Sequence, residues 1–165
     1  MNILAIDPGP EQSSWVVWDG TKVLHKMHSA NEEILASVIP SSTDASMAIE
    51  MIAPMGKNVG AEIFETCWWI GRFCQAWSPR TFVRIKRGEV KHHLGLSARG
   101  KDSDVRARII QLFGGQDAIG SIHRPGPLYG VTTHMWSALA VALTAEGKIK
   151  QENLLAGLDV SEPAR

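Results

Sequence analysis

The stretch Ile3-Leu4-Ala5-Ile6-Asp7-Pro8-Gly9-Pro10 decides how this chain is read. Residues Asn2 to Ile6 form a short apolar run bounded by turn residues, which predicts a buried strand rather than a helix. Asp is a poor strand former. Its position at the strand end leaves two readings, a side chain that bonds its own turn or a ligand delivered to a Pro/Gly-punctuated loop. Working outward, Ser14 to Trp18 and Lys22 to His28 read as two further strands joined by the turn signal Asp19-Gly20, so the chain opens as an antiparallel meander.

Asn31 is placed as the N-cap of a helix over Glu32 to Val38, with acids in its first turn, and Pro40-Ser41-Ser42 breaks the chain after it. Ser46 to Ile52 is an apolar strand interrupted by Glu50 and closed by Pro54 and Gly56. Lys57 to Trp77 is the strongest helix, and its stripe of Val59, Ile63, Cys67, Ile70, Cys74 and Trp77 is assigned to the core. A second row, Phe64, Trp68 and Phe73 with Trp69 beside them, fits either a helix packed on two sides or a homodimer interface anchored by aromatics.

Thr81 to Lys86 reads as a strand and Val90 to Leu94 as a short helix or turn. Ser97 to Ser103 is a polar loop. Asp102 or Ser103 then caps a helix through Ile110 to Phe113 that Gly114-Gly115 stops. Pro125-Gly126-Pro127 is a fixed loop, and the last helix spans Thr133 to Ala145, where Ala138, Ala140 and Ala142 permit close packing. The Gln151 to Arg165 tail carries at most a short helix that frays at Pro163. This order of elements predicts an α/β fold, a mixed five-stranded sheet with helices on both faces.

At 165 residues, 44% hydrophobic and 21% charged, the chain is expected to form a single soluble domain, 1–165. No apolar run approaches the roughly 20 residues that span a bilayer. No basic region precedes the first strand, so a secretion signal is not expected and the expected location is the cytoplasm. Cys67 and Cys74 lie two helical turns apart, too far for a disulfide, and are read as core residues of a reducing compartment. The formal net charge is zero, yet the segment from Arg72 to Arg108 is strongly basic while the rest is acidic on balance. That asymmetry fits a polyanion-binding face or a set of solvated charges.

Asp7, Glu50 and His134 stand out as two acidic strand positions and one helix histidine. If the two strands were neighbours, about 4.8 Å apart, their carboxylates would meet, repel, and raise each other's pKa unless a divalent cation kept both ionised. Mg²⁺ needs few protein ligands, and Mn²⁺ tolerates an imidazole more readily. Glu50 facing solvent and His134 bonded to a carbonyl are the dull alternatives, and the residues alone do not bring the three together.

The run Ile3 to Gly9, then Ala48-Ile49-Glu50, then Val90-Lys91 with Lys101 downstream, then His134-Met135-Trp136-Ser137-Ala138-Leu139-Ala140, resembles the RuvC family of Holliday junction resolvases, most of all its phage-type members. The resemblance runs in order from about residue 2 to residue 145. It implies a ribonuclease H-like fold, a homodimer, and hydrolysis of phosphodiester bonds in branched DNA by symmetric paired nicks with two Mg²⁺ or Mn²⁺ ions per active site. Carried over by position, Asp7, Glu50 and His134 are metal ligands and catalytic residues, with Lys101 a further catalytic residue. Lys91 and Lys101 match basic positions near the scissile phosphate, and Arg87 and Arg99 of the same basic segment are added as DNA contacts. Ser137 departs from the pattern, standing where many members have their last catalytic aspartate. Asp102 and Asp104 are outside candidates to replace it, although a helix-cap role is expected for both. Two other function classes are weighed. The departure at Ser137 admits a junction-binding protein without useful catalysis. A phosphotransferase of the sugar-kinase and actin type would need a second phosphate loop, and Asp19-Gly20-Thr21 is read as an ordinary turn, so no nucleotide cofactor is expected.

Overall fold

In a computed structural model that describes residues 1–53 and 59–159, the opening apolar run forms β1 (Asn2–Asp7), the centre of a five-stranded sheet. Its neighbours are β2 (Gln12–Trp18), which leads to β3 (Val23–Ala30), and β4 (Ala45–Met51), which leads to β5 (Phe82–Lys86). The order is β3-β2-β1-β4-β5, antiparallel among the first three strands and parallel from β1 through β4 to β5. This is the mixed, ribonuclease H-like sheet that the sequence leads one to expect. Asp19 Oδ1 closes the β2–β3 turn by accepting from the Thr21 and Lys22 N–H groups and the Thr21 hydroxyl.

A strand with apolar residues on both faces must be covered twice. On one face Ile3, Ala5, Val16, Trp18, Ala48 and Ile85 pack with residues of α4 (Arg87–His93), α5 (Asp102–Leu112) and α6 (Met135–Asp159). On the other, Leu4, Ile6, Met47 and Ile49 pack with Ile34, Trp69, Phe73 and Trp77. Those partners come from α3 (Ala61–Trp77) and from the segment α1 (Asn31–Glu33), a π turn over Ile34–Val38, and α2 (Ile39–Ser41). No helix among the described residues is long and apolar enough to cross a membrane.

Several expectations change. Asn31 is not the cap of its helix, which Ala30 opens. It is fully buried, and its Oδ1 accepts from Ser13 Oγ at 2.6 Å while Nδ2 donates to the Gly9 carbonyl at 3.0 Å. Pro40 does not break the segment; the widened π turn ahead of it avoids the clash a prolyl ring makes with the carbonyl four residues back.

On α3 the buried line is Thr66, Trp69, Ile70, Phe73 and Trp77. Of the expected stripe, Ile70 and Trp77 are buried and Cys74 packs against the core, but Val59, Ile63 and Cys67 are exposed, so the buried face is turned toward Trp69 and Phe73. A helix apolar on most of its circumference does not encode its own rotation. Its expected start at Lys57, and the Pro54 and Gly56 that were to close β4, lie outside the described residues.

The last helix starts at Met135 and runs well past Ala145. Glu146 accepts from Trp18 Nε1 at 2.8 Å and pairs with Lys150 at 2.6 Å, and Lys148 pairs with Glu89. Gly147 is not a stop signal; a Cβ there would meet the His93 ring at 2.6 Å. The expected tail helix from Gln151 is the end of this same helix, and Pro163 lies outside the described residues.

Candidate active site

Pairing brings the first two candidates together. Ile6 of β1 lies opposite Ile49 of β4, so Asp7 and Glu50 follow on adjacent strands and point to the face that carries α6. On the other side Asp7 pairs with Ser14, and Ser14 pairs with His28. Directly paired residues share a face. Glu50, Asp7, Ser14 and His28 therefore form one row across four strands.

The row lies against the start of α6. Thr133 takes φ +39°, a left-handed conformation that a β-branched residue adopts only at a cost. The carbonyl of the next residue, His134, accepts from the Ser137 and Ala138 N–H groups, so the helix begins here rather than at Thr133. Asp7 and His134 line one cavity of about 800 Å³ together with Ser14, His28 and, from α3, Glu62 and Glu65.

Burial raises the Asp7 carboxyl from 3.8 to about 6, against smaller downward pulls from contact with Glu50, the Arg87 charge and the Ser137 hydroxyl. Burial raises Glu50 further, from 4.5 to about 8, and the Asp7 charge adds to it. Two buried carboxyls this close cannot both ionise unaided. Glu50 Oε2 is a buried acceptor with no hydrogen-bond partner. A buried carboxyl oxygen without a hydrogen bond, in a group beside a second carboxyl, fits a hard divalent cation, which would satisfy it and let both groups ionise. His134 enters the same cavity as Asp7, but Glu50 is not among that cavity's lining residues. Among the described residues no three His, Cys, Asp or Glu side chains close into a ready-made metal cage.

The basic candidates divide. Arg87, at the start of α4, lies with its Nη1 3.7 Å from Glu50 Oε2 and pairs through Nη2 with Asp102. Its charge lowers both carboxyls by less than burial raises them, and it is turned to the carboxyl pair rather than to free solvent. Lys91 Nζ donates to the Ala98 carbonyl at 2.8 Å, tying α4 to the loop that carries Arg99 and Lys101, both exposed. The helix-cap expectation holds for Asp104, whose carboxylate accepts from the Lys101 N–H at 2.7 Å. It fails for Asp102, and Lys101 rather than Asp102 or Ser103 occupies the cap position of α5. Asp102 reaches over to Arg87 instead, and its charge is felt by both Asp7 and Glu50.

No family model matches the sequence, and no curated protein matches it either. Solved structures do. The Thermus thermophilus RuvC structure superposes with a TM-score of 0.66 at 19% identity, over 92% of this chain and 97% of that one. The chain has a RuvC-like fold. Thermus thermophilus RuvC in complex with a Holliday junction substrate superposes with a TM-score of 0.65 at 19% identity, over 87% of this chain and 92% of that one. In this RuvC-like fold Ser14 and His28 are the neighbours of the site that residue-by-residue reading missed, while Arg87 and Asp102, both named from the sequence, meet in an ion pair beside it. The Asp19-Gly20 turn signalled the hairpin that carries Ser14 and His28, but not its register.

Proposed function

We propose that this protein is a divalent-metal-dependent endonuclease that cuts branched DNA, with the Holliday junction as its substrate and paired nicks by a homodimer as its mode of action. The observation that carries this reading is the buried Asp7–Glu50 pair with its orphaned oxygen, on the central strands of a RuvC-like fold. Mg²⁺ or Mn²⁺, two per site, would be held by Asp7 and Glu50, with His134 as a further donor from the cavity lip. When bound, they supply an activated water and charge that stabilises the leaving 3′ oxygen.

The remaining tasks belong to the chain. Arg87, held beside Glu50 and paired with Asp102 in the free protein, can turn to a phosphate when cations occupy the carboxylates. Lys101, with Arg99, lies on an exposed loop and helix start from which charge reaches a DNA backbone. Lys91 fixes that loop in place. The exposed Phe64 and Trp68, with Val59 and Ile63, form the face for a second copy, a purpose Phe73 and Trp69 do not share because they are buried in the core. Nothing in this mechanism calls for a nucleotide cofactor, and a cytoplasmic site of action suits it.

A second reading, a junction-binding protein that does not cut, is favoured by one observation: Ser137 places a hydroxyl, not a carboxylate, beside Asp7. The deciding experiment is cleavage of a labelled, immobile four-way junction and a matched duplex with Mg²⁺, Mn²⁺ or EDTA, for wild type and Asp7→Asn. Metal-dependent paired nicking of the junction, lost in Asp7→Asn, is the expected result. Tight junction binding with no cleavage under any metal would overturn it in favour of the inert binder.

A further inference from the structure

His28 lies on the edge strand of the sheet, in a position that no carboxylate or lysine pattern singles out. Its register is nonetheless specific. It pairs with Ser14, which pairs with Asp7, so the three side chains emerge in sequence on the face beneath α6. Ser14 is 1% exposed, and its hydroxyl meets His28 Nδ1 at 2.9 Å. A buried hydroxyl with one ring nitrogen as its partner fixes that ring's plane. The fixed ring lies against His134, with centroids 5.6 Å apart and planes 30° from parallel, inside the range at which aromatic rings attract.

The His134 ring has no other restraint of this kind. No side chain among the described residues hydrogen-bonds to it, and it stands at the lip of an open cavity directly after the left-handed Thr133. A metal-binding histidine is ordinarily oriented by a partner that fixes its ring, and losing such a partner typically costs about 10–100-fold in metal affinity. Stacking provides orientation without occupying either ring nitrogen.

We propose that His28, anchored by Ser14, is a positioning residue: by ring stacking it holds the His134 imidazole in the orientation that presents a nitrogen to the cation bound at Asp7. The inference rests on the metal-dependent reading of the site given above. It concerns orientation alone, so the ring of His28 matters and its nitrogens do not, except for the bond that Ser14 makes.

The test is Mn²⁺ binding by the full chain without DNA, followed by electron paramagnetic resonance and by the broadening of imidazole proton signals. Wild type, Asp7→Asn, His28→Ala and His28→Phe are compared. His28 is exposed on an edge strand, so both replacements are expected to leave the fold intact, which circular dichroism checks. His28→Ala should weaken Mn²⁺ binding about tenfold or more and remove the broadening of the His134 signal. His28→Phe, which keeps a stacking plate but loses the Ser14 anchor, should recover part of the affinity. Unchanged affinity in His28→Ala would overturn the proposal. So would a His28→Phe variant as weak as His28→Ala, because a ring in that place would then contribute nothing to holding His134. If wild-type Mn²⁺ binding is indifferent to Asp7→Asn, the parent reading of the site fails, and that is visible before any His28 variant is measured.

Discussion

Without divalent cations, this protein should lose stability as the pH rises from about 4.5 to about 8, and Glu50 should be the main source of the loss. Glu50 holds its proton up to about pH 8 in the folded chain against a value of 4.5 for the free side chain. Between those values the folded state binds a proton that the unfolded chain has released. Stability therefore falls with pH in that window: the contribution is whole below the unfolded value and lost as the pH passes through the folded one. At about 1.36 kcal/mol per pKa unit, the loss is on the order of 4 kcal/mol. A chain of this size shifts its melting temperature by about 2–4 °C per kcal/mol, so a drop of roughly 10 °C is expected. The assay is thermal unfolding in EDTA across that pH range for wild type and Glu50→Gln. The variant should melt with a much shallower slope above about pH 7 and should exceed wild type at the alkaline end, because of the two raised carboxyls only Asp7, at about 6, remains to titrate. Mn²⁺ should restore the wild-type melting temperature at high pH and do little for Glu50→Gln. A wild-type profile that stays flat, or a Glu50→Gln profile that runs parallel to it, would refute the reasoning.

Asn31→Ala should cost about 1–3 kcal/mol, read as a lower urea midpoint, since it strips the half-buried Gly9 carbonyl of a donor and the buried Ser13 hydroxyl of its acceptor. Gly126→Ala should destabilise by about 1–3 kcal/mol or more, because a Cβ there would lie 2.1 Å from the Ala118 carbonyl oxygen and 2.8 Å from that of Asp117, neither of which can step aside. Ser137→Asp should lower the melting temperature in EDTA by adding a third negative charge beside Asp7, and should tighten Mn²⁺ binding by about tenfold or more, or about 1.4 kcal/mol upward, in calorimetric titration. A Ser137→Asp protein that binds Mn²⁺ no better than wild type would separate residue 137 from the cation site.

Much of this was legible in local sequence because it depends on local physics. The unbroken apolar run Ile3–Ile6 between turn residues reads as a strand covered on both faces, with the Asp7 carboxylate at its end. Asp19-Gly20 fixes a tight turn, and the apolar run around Glu50 a second buried strand. Asp7, Glu50 and His134 could thus be nominated from the residues, with the RuvC resemblance giving them a reason to meet.

What the tertiary structure alone decided are the relations between segments distant in sequence. Asp7 and Glu50 are neighbours only because β4 pairs in parallel with β1, a contact no local periodicity encodes. The rotation of α3, which buries Phe73 and leaves Phe64 and Trp68 outside, is fixed by what the sheet offers to a helix that is apolar nearly all round. The position of His28 turns on one residue. The β2–β3 register shifts between Val17 and Trp18, and without that irregularity a count from the turn would put Met27 opposite Ser14 and send His28 to the opposite face. A strand's side-chain period is two, so a single extra residue decides which face receives each side chain, and only the folded sheet records it.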